Sequence, residues 1–145
     1  MTAAQRKRFD NQLFQKYDQL ARDVTTAYLE SLGYAVSEHP DRYAQDLIAY
    51  TRDNEFCVEC EVKLVWEVSE FPYPNVQLPE RKKKFFNAPT QFFIWNKPLE
   101  HAMTFWSHDV ATLQPVEVPN KYVYSGEYFY QIPMDMVTKV KSVCE

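Results

Sequence analysis

A chain of 145 residues is long enough for one compact domain with a real core, and 46% apolar against 25% charged residues is the balance of a globular protein rather than a disordered one. A formal charge of −4 argues against a strongly basic nucleic-acid binder, and no apolar run approaches the roughly 20 residues that a membrane-spanning helix needs. Twenty-three aromatic rings beside only two glycines suggest ring-rich strands, so the expectation is a single α/β domain over residues 1–145, with no membrane partner.

Met1 to Asp10 is polar and charged with no apolar segment behind it, so no secretory signal is expected and the protein should work inside a cell. From Ala4 to Leu32 the residues Leu13, Tyr17, Leu20, Val24, Tyr28 and Leu32 recur at steps of three or four, which predicts one long amphipathic helix ended by Gly33. Tyr34 to Ser37 reads as a short strand, and His39 to Arg42 as a turn around Pro40. Asp46 to Tyr50 and Phe56 to Val65 flank the polar stretch Thr51–Glu55 and predict an antiparallel hairpin. Phe71 to Pro79, with three prolines, predicts an irregular crossing loop. Pro79 suits the first turn of a short helix carrying Arg81, Lys82, Lys83 and Lys84 and ending before Pro89. Two strands, Gln91–Asn96 and Met103–Ser107, turn around Lys97-Pro98, and Val116–Val118 and Tyr122–Ile132 add β-prone segments. Met134 to Val140 predicts a closing helix. This order implies a central sheet carrying helices on its faces.

The chemistry sits on the second strand of the hairpin. Alternation puts Cys57, Glu59, Glu61 and Lys63 on one face and Val58, Cys60, Val62 and Leu64 on the other. Cys57 and Cys60 therefore point to opposite faces and are poor co-ligands for zinc. Asp46, at the start of the partner strand, lies near the charged face if the two strands pair. Two carboxylates and an ammonium then converge. Such a set can hold Mg²⁺, with Mn²⁺ able to substitute, through Asp46, Glu61 and the main-chain carbonyl of Val62, while Lys63 orients or deprotonates a water.

Asp46 followed by Glu61-Val62-Lys63 on the next strand resembles the PD-(D/E)xK nuclease superfamily, over roughly Asp10 to Trp106 by order of elements, with Gln45 where the motif has proline. The resemblance implies a restriction-endonuclease-like core, a mixed central sheet flanked by helices, and Mg²⁺-dependent endonuclease activity on nucleic acid, with DNA as the expected substrate. It implies Asp46 and Glu61 as metal ligands and Lys63 as the catalytic lysine. An additional acid on the first helix would be Asp23 or Glu30, and Glu59 is a further candidate beside Glu61. The chain's small size suggests a homodimer or a part of a larger assembly, in the manner of a phage or mobile-element protein.

The basic run lies beside Tyr73, Phe85 and Phe86, a mixture suited to phosphates and unstacked bases. Four consecutive residues cover every side of a helix, so Arg81 and Lys82, nearest the proline-rich loop, are the preferred contacts, with Lys84 and Gln77 as further candidates. His39, His101 and His108 are scattered and suggest no Cys-His nucleophile. Trp66, Trp95 and Trp106 read as sheet or core residues, Trp66 being the one to test for base stacking. The competing readings are a solvated charge set on the strand, or an inactive nuclease-like domain that binds protein or nucleic acid.

Overall fold

The computed structural model describes residues 11–120 and 123–143. Ala4 to Asp10 of the expected helix, and Tyr122, lie outside them. The chain forms helix α1 (Asn11–Ser31) and strands β1 (Ala35–Glu38), β2 (Leu47–Tyr50), β3 (Glu55–Lys63) and β4 (Asn75–Pro79). A 3-10 helix (Glu80–Asn87) is followed by β5 (Thr90–Asn96), β6 (His101–Trp106) and a single turn α2 (Ser107–Val110). Strands β7 (Val116–Asn120), β8 (Val123–Pro133) and β9 (Thr138–Lys141) complete it. The fold is mixed α/β: a six-stranded central sheet ordered β1-β2-β3-β5-β6-β9 and a three-stranded sheet ordered β4-β8-β7. Within the central sheet β3 and β5 are parallel and the other pairs antiparallel. A parallel pair needs a long crossover, and residues 64–89 supply it by way of β4 and the 3-10 helix.

Gly33, with φ +100°, stops α1 in a left-handed cap: Tyr34 N–H reaches the Leu29 carbonyl at 3.1 Å and Gly33 N–H the Glu30 carbonyl at 3.0 Å. The packed row of the helix differs from the expected stripe. Ala21, Thr25 and Leu29 are fully buried, whereas Tyr17, Leu20, Val24 and Tyr28 are half-buried flanks and Leu32 is 57% exposed. Small side chains at Ala21 and Thr25 let the helix axis approach the sheet, and the Thr25 hydroxyl accepts the Trp95 indole N–H at 2.8 Å. Hydropathy alone gives more weight to Leu32 than to Thr25, so it rotates the stripe.

Alternation along the strands divides the core in two. Phe56, Val58, Cys60, Phe93, Trp95 and Ala102 face α1. Phe92, Ile94, Met103 and Phe105 face the other way, against Val76 and Leu78 of β4, Tyr130 and Ile132 of β8, and Phe85 of the 3-10 helix. Thus the long helix α1 covers one face of the central sheet, and the second face carries the small sheet together with the 3-10 helix and α2. Two expectations fail for the same reason. The supposed loop Phe71–Pro79 contains β4, because Val76 and Leu78 alternate with Gln77 and pair with β8. Pro79 ends β4, a strand at the edge of its sheet where proline is tolerated. The supposed closing helix is a 3-10 turn (Met134–Met136) followed by β9, in which the β-branched Thr138 and Val140 pair with β6.

Candidate functional site

The hairpin register places the acids. Tyr50 pairs with Glu55 and Leu47 with Val58, so Asp46, one residue before β2, comes opposite Glu59. Beyond Val58, strand β3 continues without β2 beside it. Its open edge is taken over by the Asp46 side chain: Oδ2 accepts the Cys60 N–H at 3.0 Å, while the Asp46 N–H donates to Glu59 Oε2 at 3.0 Å. The Cys60 amide points toward Asp46 and the Cys57 amide points the other way, to the Pro89 carbonyl. By strand alternation the carbonyls of Cys60 and Val62 face the same open edge as the Asp46 carboxylate.

A cleft of about 390 Å³ opens there, lined by Asp46, Glu59, Glu61 and Val62 from the hairpin, Tyr17 and Asp18 from α1, and Arg81 and Lys82 from the 3-10 helix. Glu59 is only 8% exposed, and its Oε1 accepts from Lys82 Nζ at 3.0 Å. Burial, then the negative charge of the neighbouring Asp46, push the Glu59 carboxyl up to about 7, with Lys82 offsetting part of the rise. Burial and the Asp46 charge also raise the Cys60 thiol well above its usual range. On α1, Arg22 is paired with Asp18; burial alone would lower the guanidinium, but the hydrogen bond and charge of Asp18, with that of Asp46, raise it.

Gln45 holds the halves of the cleft together. It is buried, and its side-chain amide donates to the Phe85 carbonyl at 3.2 Å and to Thr90 Oγ1 at 3.0 Å. The residue beside Asp46 thereby ties the hairpin to the 3-10 helix that carries Lys82.

The residues singled out from sequence separate into several places. Asp46, Glu61, Val62, Glu59, Arg81 and Lys82 line the acidic cleft. Lys63 and Gln77 line a neighbouring cavity, where Lys63 Nζ stands 5.6 Å from the centre of the Tyr73 ring. Lys84 lies over Phe85, and neither it nor Lys63 lines the acidic cleft. Asp23 and Glu30 are exposed on α1 and line neither cavity; the α1 acid at the cleft is Asp18. Asp18 sits one turn before the buried Ala21 on the packed side, whereas Asp23 and Glu30 lie round the helix from it. Trp66 is 1% exposed, with its indole N–H on the Glu70 carbonyl at 3.1 Å, so its ring is core and offers no stacking face.

Reasoning from sequence missed Asp18, Gln45 and the partnership of Asp46 with Glu59. The last was readable: closing the hairpin on Thr51–Asn54 pairs Tyr50 with Glu55 and, carried along the strands, Asp46 with Glu59. Among the described residues no three Asp, Glu, His or Cys side chains gather as a metal-binding group, so a cation in this cleft would need main-chain oxygen and water beside its carboxylates. Comparisons of the chain with protein-family models, with curated proteins and with solved structures give no match, leaving the chemistry of the cleft as the guide to function.

Proposed function

We propose that the protein is a divalent-cation-dependent phosphodiester hydrolase acting on nucleic acid, with a restriction-endonuclease-like core, and that its active site is the cleft of Asp46, Glu59 and Glu61. The observation that carries this reading is the meeting of Asp46 and Glu59 at an open strand edge, with Lys82 on the second acid. The element order supports the core: α1, three antiparallel strands, a crossover, then a strand parallel to the third.

The donor set suits a hard cation. Asp46 and Glu59 are neighbouring carboxylates whose charges oppose one another, Glu61 lies two residues on along the same face, and the Cys60 and Val62 carbonyls share the edge. Mg²⁺ or Mn²⁺ held by these oxygens would polarise a phosphate and lower the pKa of water. The protein's own part is positioning and charge. Lys82, anchored on Glu59, presents an ammonium at the cleft and takes the place expected of Lys63. Arg81, 71% exposed at its side chain and ion-paired with Glu127 at 3.8 Å, would offer a guanidinium at the rim for an adjacent phosphate. Gln45 keeps the acid and the ammonium at fixed separation.

The test is cleavage of plasmid and single-stranded DNA with Mg²⁺, Mn²⁺ or EDTA. Asp46→Asn should lower the Mg²⁺-dependent rate roughly 10²–10³-fold, the usual loss when one group stabilising developing charge is removed. Lys82→Ala should lower it more than Lys63→Ala. Cutting by Asp46→Asn at the wild-type rate removes the reading, and a larger loss in Lys63→Ala returns the catalytic role to that residue.

A further inference from the structure

The second cavity has a chemistry of its own. It holds about 460 Å³, within the range of small-molecule sites, and is lined by Lys63, Phe71, Tyr73, Asn75, Gln77 and Gln131 among others. Two rings, three carboxamides and one ammonium meet there. Gln77 and Gln131 are direct cross-strand partners on β4 and β8, so their side chains stand side by side on one face of the small sheet. The opposite face of both strands is buried in the core through Val76, Leu78, Tyr130 and Ile132, which fixes the direction of the two amides.

The aromatic wall is also built in advance. Trp66 is buried, Phe71 packs edge-on against it at 5.1 Å, and Tyr73 packs edge-on against Phe71 at 5.6 Å. Tyr73 is nonetheless 44% exposed, so ring surface remains open to a ligand. Lys97 N–H bonds the Trp66 carbonyl at 2.7 Å and Asn96 Nδ2 bonds the Val68 carbonyl at 3.2 Å, which pins the connecting segment to the end of β5.

The two cavities are neighbours along the same strands. Glu61 lines the acidic cleft and Lys63 the ring-and-amide cavity. They are two residues apart on one face of β3, a step of about 7 Å. Across the gap, Gln77 lies on the same short segment as Arg81 and Lys82. A nucleic-acid strand held with one phosphate at the acids would bring its next nucleotide to the second cavity.

We propose that this cavity receives an unstacked nucleobase, lying on Tyr73 and hydrogen-bonded at its edge by Gln77 and Gln131, so that the substrate is single-stranded or locally melted nucleic acid. The proposal rests on the hydrolase reading above for the position of the phosphate. Carboxamides carry both donor and acceptor groups and match the mixed edge of a base, and an exposed ring stacks on any base. A base inside a duplex is shielded by its neighbours and cannot enter. The overall charge of −4 supports the same choice, because a protein that neutralises few phosphates must draw affinity from the bases.

Fluorescence anisotropy with a labelled mixed-sequence oligonucleotide tests this on the full chain, with Ca²⁺ in place of Mg²⁺. The probes are single-stranded DNA, single-stranded RNA of the same sequence, and the DNA duplex. One or both single strands should bind more tightly than the duplex. Tyr73→Ala should weaken single-strand binding about tenfold, Gln131→Ala should weaken it in the same direction, and Tyr73→Phe should bind as wild type, since stacking needs the ring alone. Circular dichroism establishes that each variant is folded; should Tyr73→Ala not fold, an oligonucleotide with abasic positions replaces it and should show the same loss. Equal binding of duplex and single strands, unchanged binding by Tyr73→Ala or to the abasic strand, or no binding of any probe overturns the proposal. Its failure is separable from that of the hydrolase reading, which is decided by the cleavage rate of Asp46→Asn.

Discussion

The two faces of strand β3 lie a strand's thickness apart and are built on different principles. Toward α1 the strand presents Phe56, Val58 and Cys60 to Phe93, Trp95 and the helix row Ala21, Thr25 and Leu29. The Trp95 indole N–H finds its partner within that layer, on Thr25. Toward the small sheet the same strand presents Glu59, Glu61 and Lys63, and its buried acid is satisfied from another element by Lys82. One face stabilises the fold by apolar burial. The other holds charge together at the cost of dehydration, which is tolerated where binding or chemistry needs the groups side by side.

The largest effect should come from the helix side. Phe93 is fully buried, and Phe93→Ala should cost about 3–5 kcal/mol of stability by urea denaturation, the usual range for a ring removed from a core. A loss below about 1 kcal/mol would mean that this face is not the close-packed one. Next is Gln45→Ala, which leaves the Thr90 hydroxyl oxygen without its Gln45 donor and the Phe85 carbonyl with the Thr90 hydroxyl in place of two donors; about 1–3 kcal/mol is expected. The same variant should reduce Mg²⁺-dependent cleavage, because it loosens the tie between Asp46 and the helix of Lys82. Lost stability with unchanged cleavage would confine Gln45 to a structural role.

The pH dependence sharpens the contrast further. Glu59 has its folded-state carboxyl raised from the ordinary 4.5 to about 7, so between these values the folded protein holds a proton that the unfolded chain has released. Its contribution to stability is therefore fully present below about 4.5 and is lost as the pH rises through about 7. In EDTA, melting temperature against pH should fall across that window, and Glu59→Gln should flatten the slope. The smallest effect belongs again to the helix side: Thr25→Val removes the acceptor of the Trp95 indole at nearly constant volume and should cost roughly 1 kcal/mol, with no change in the pH profile.

Much of this molecule can be read along the chain. The apolar and charged faces of β3, the hairpin that precedes it, the stop at Gly33 and the short helix after Pro79 all follow from local rules, because side-chain direction in a strand and the end of a helix are set by the backbone within a few residues. Asp46 and Glu61 were legible as candidates on the same grounds. What lay beyond local rules was which groups meet across space. Lys63 has the spacing of a catalytic partner, yet it is Lys82, from within the crossover, that reaches Glu59. Asp18 rather than Asp23 or Glu30 lines the cleft, because helix rotation was decided by the close approach of Ala21 and Thr25 to the sheet. Strands β4 and β9 show the same limit: four or five residues carry too short an alternation to declare themselves, and they become strands only when β8 and β6 offer open edges to pair with. The sequence by itself determined the direction in which each acid of β3 points, and the tertiary structure alone decided what stands opposite.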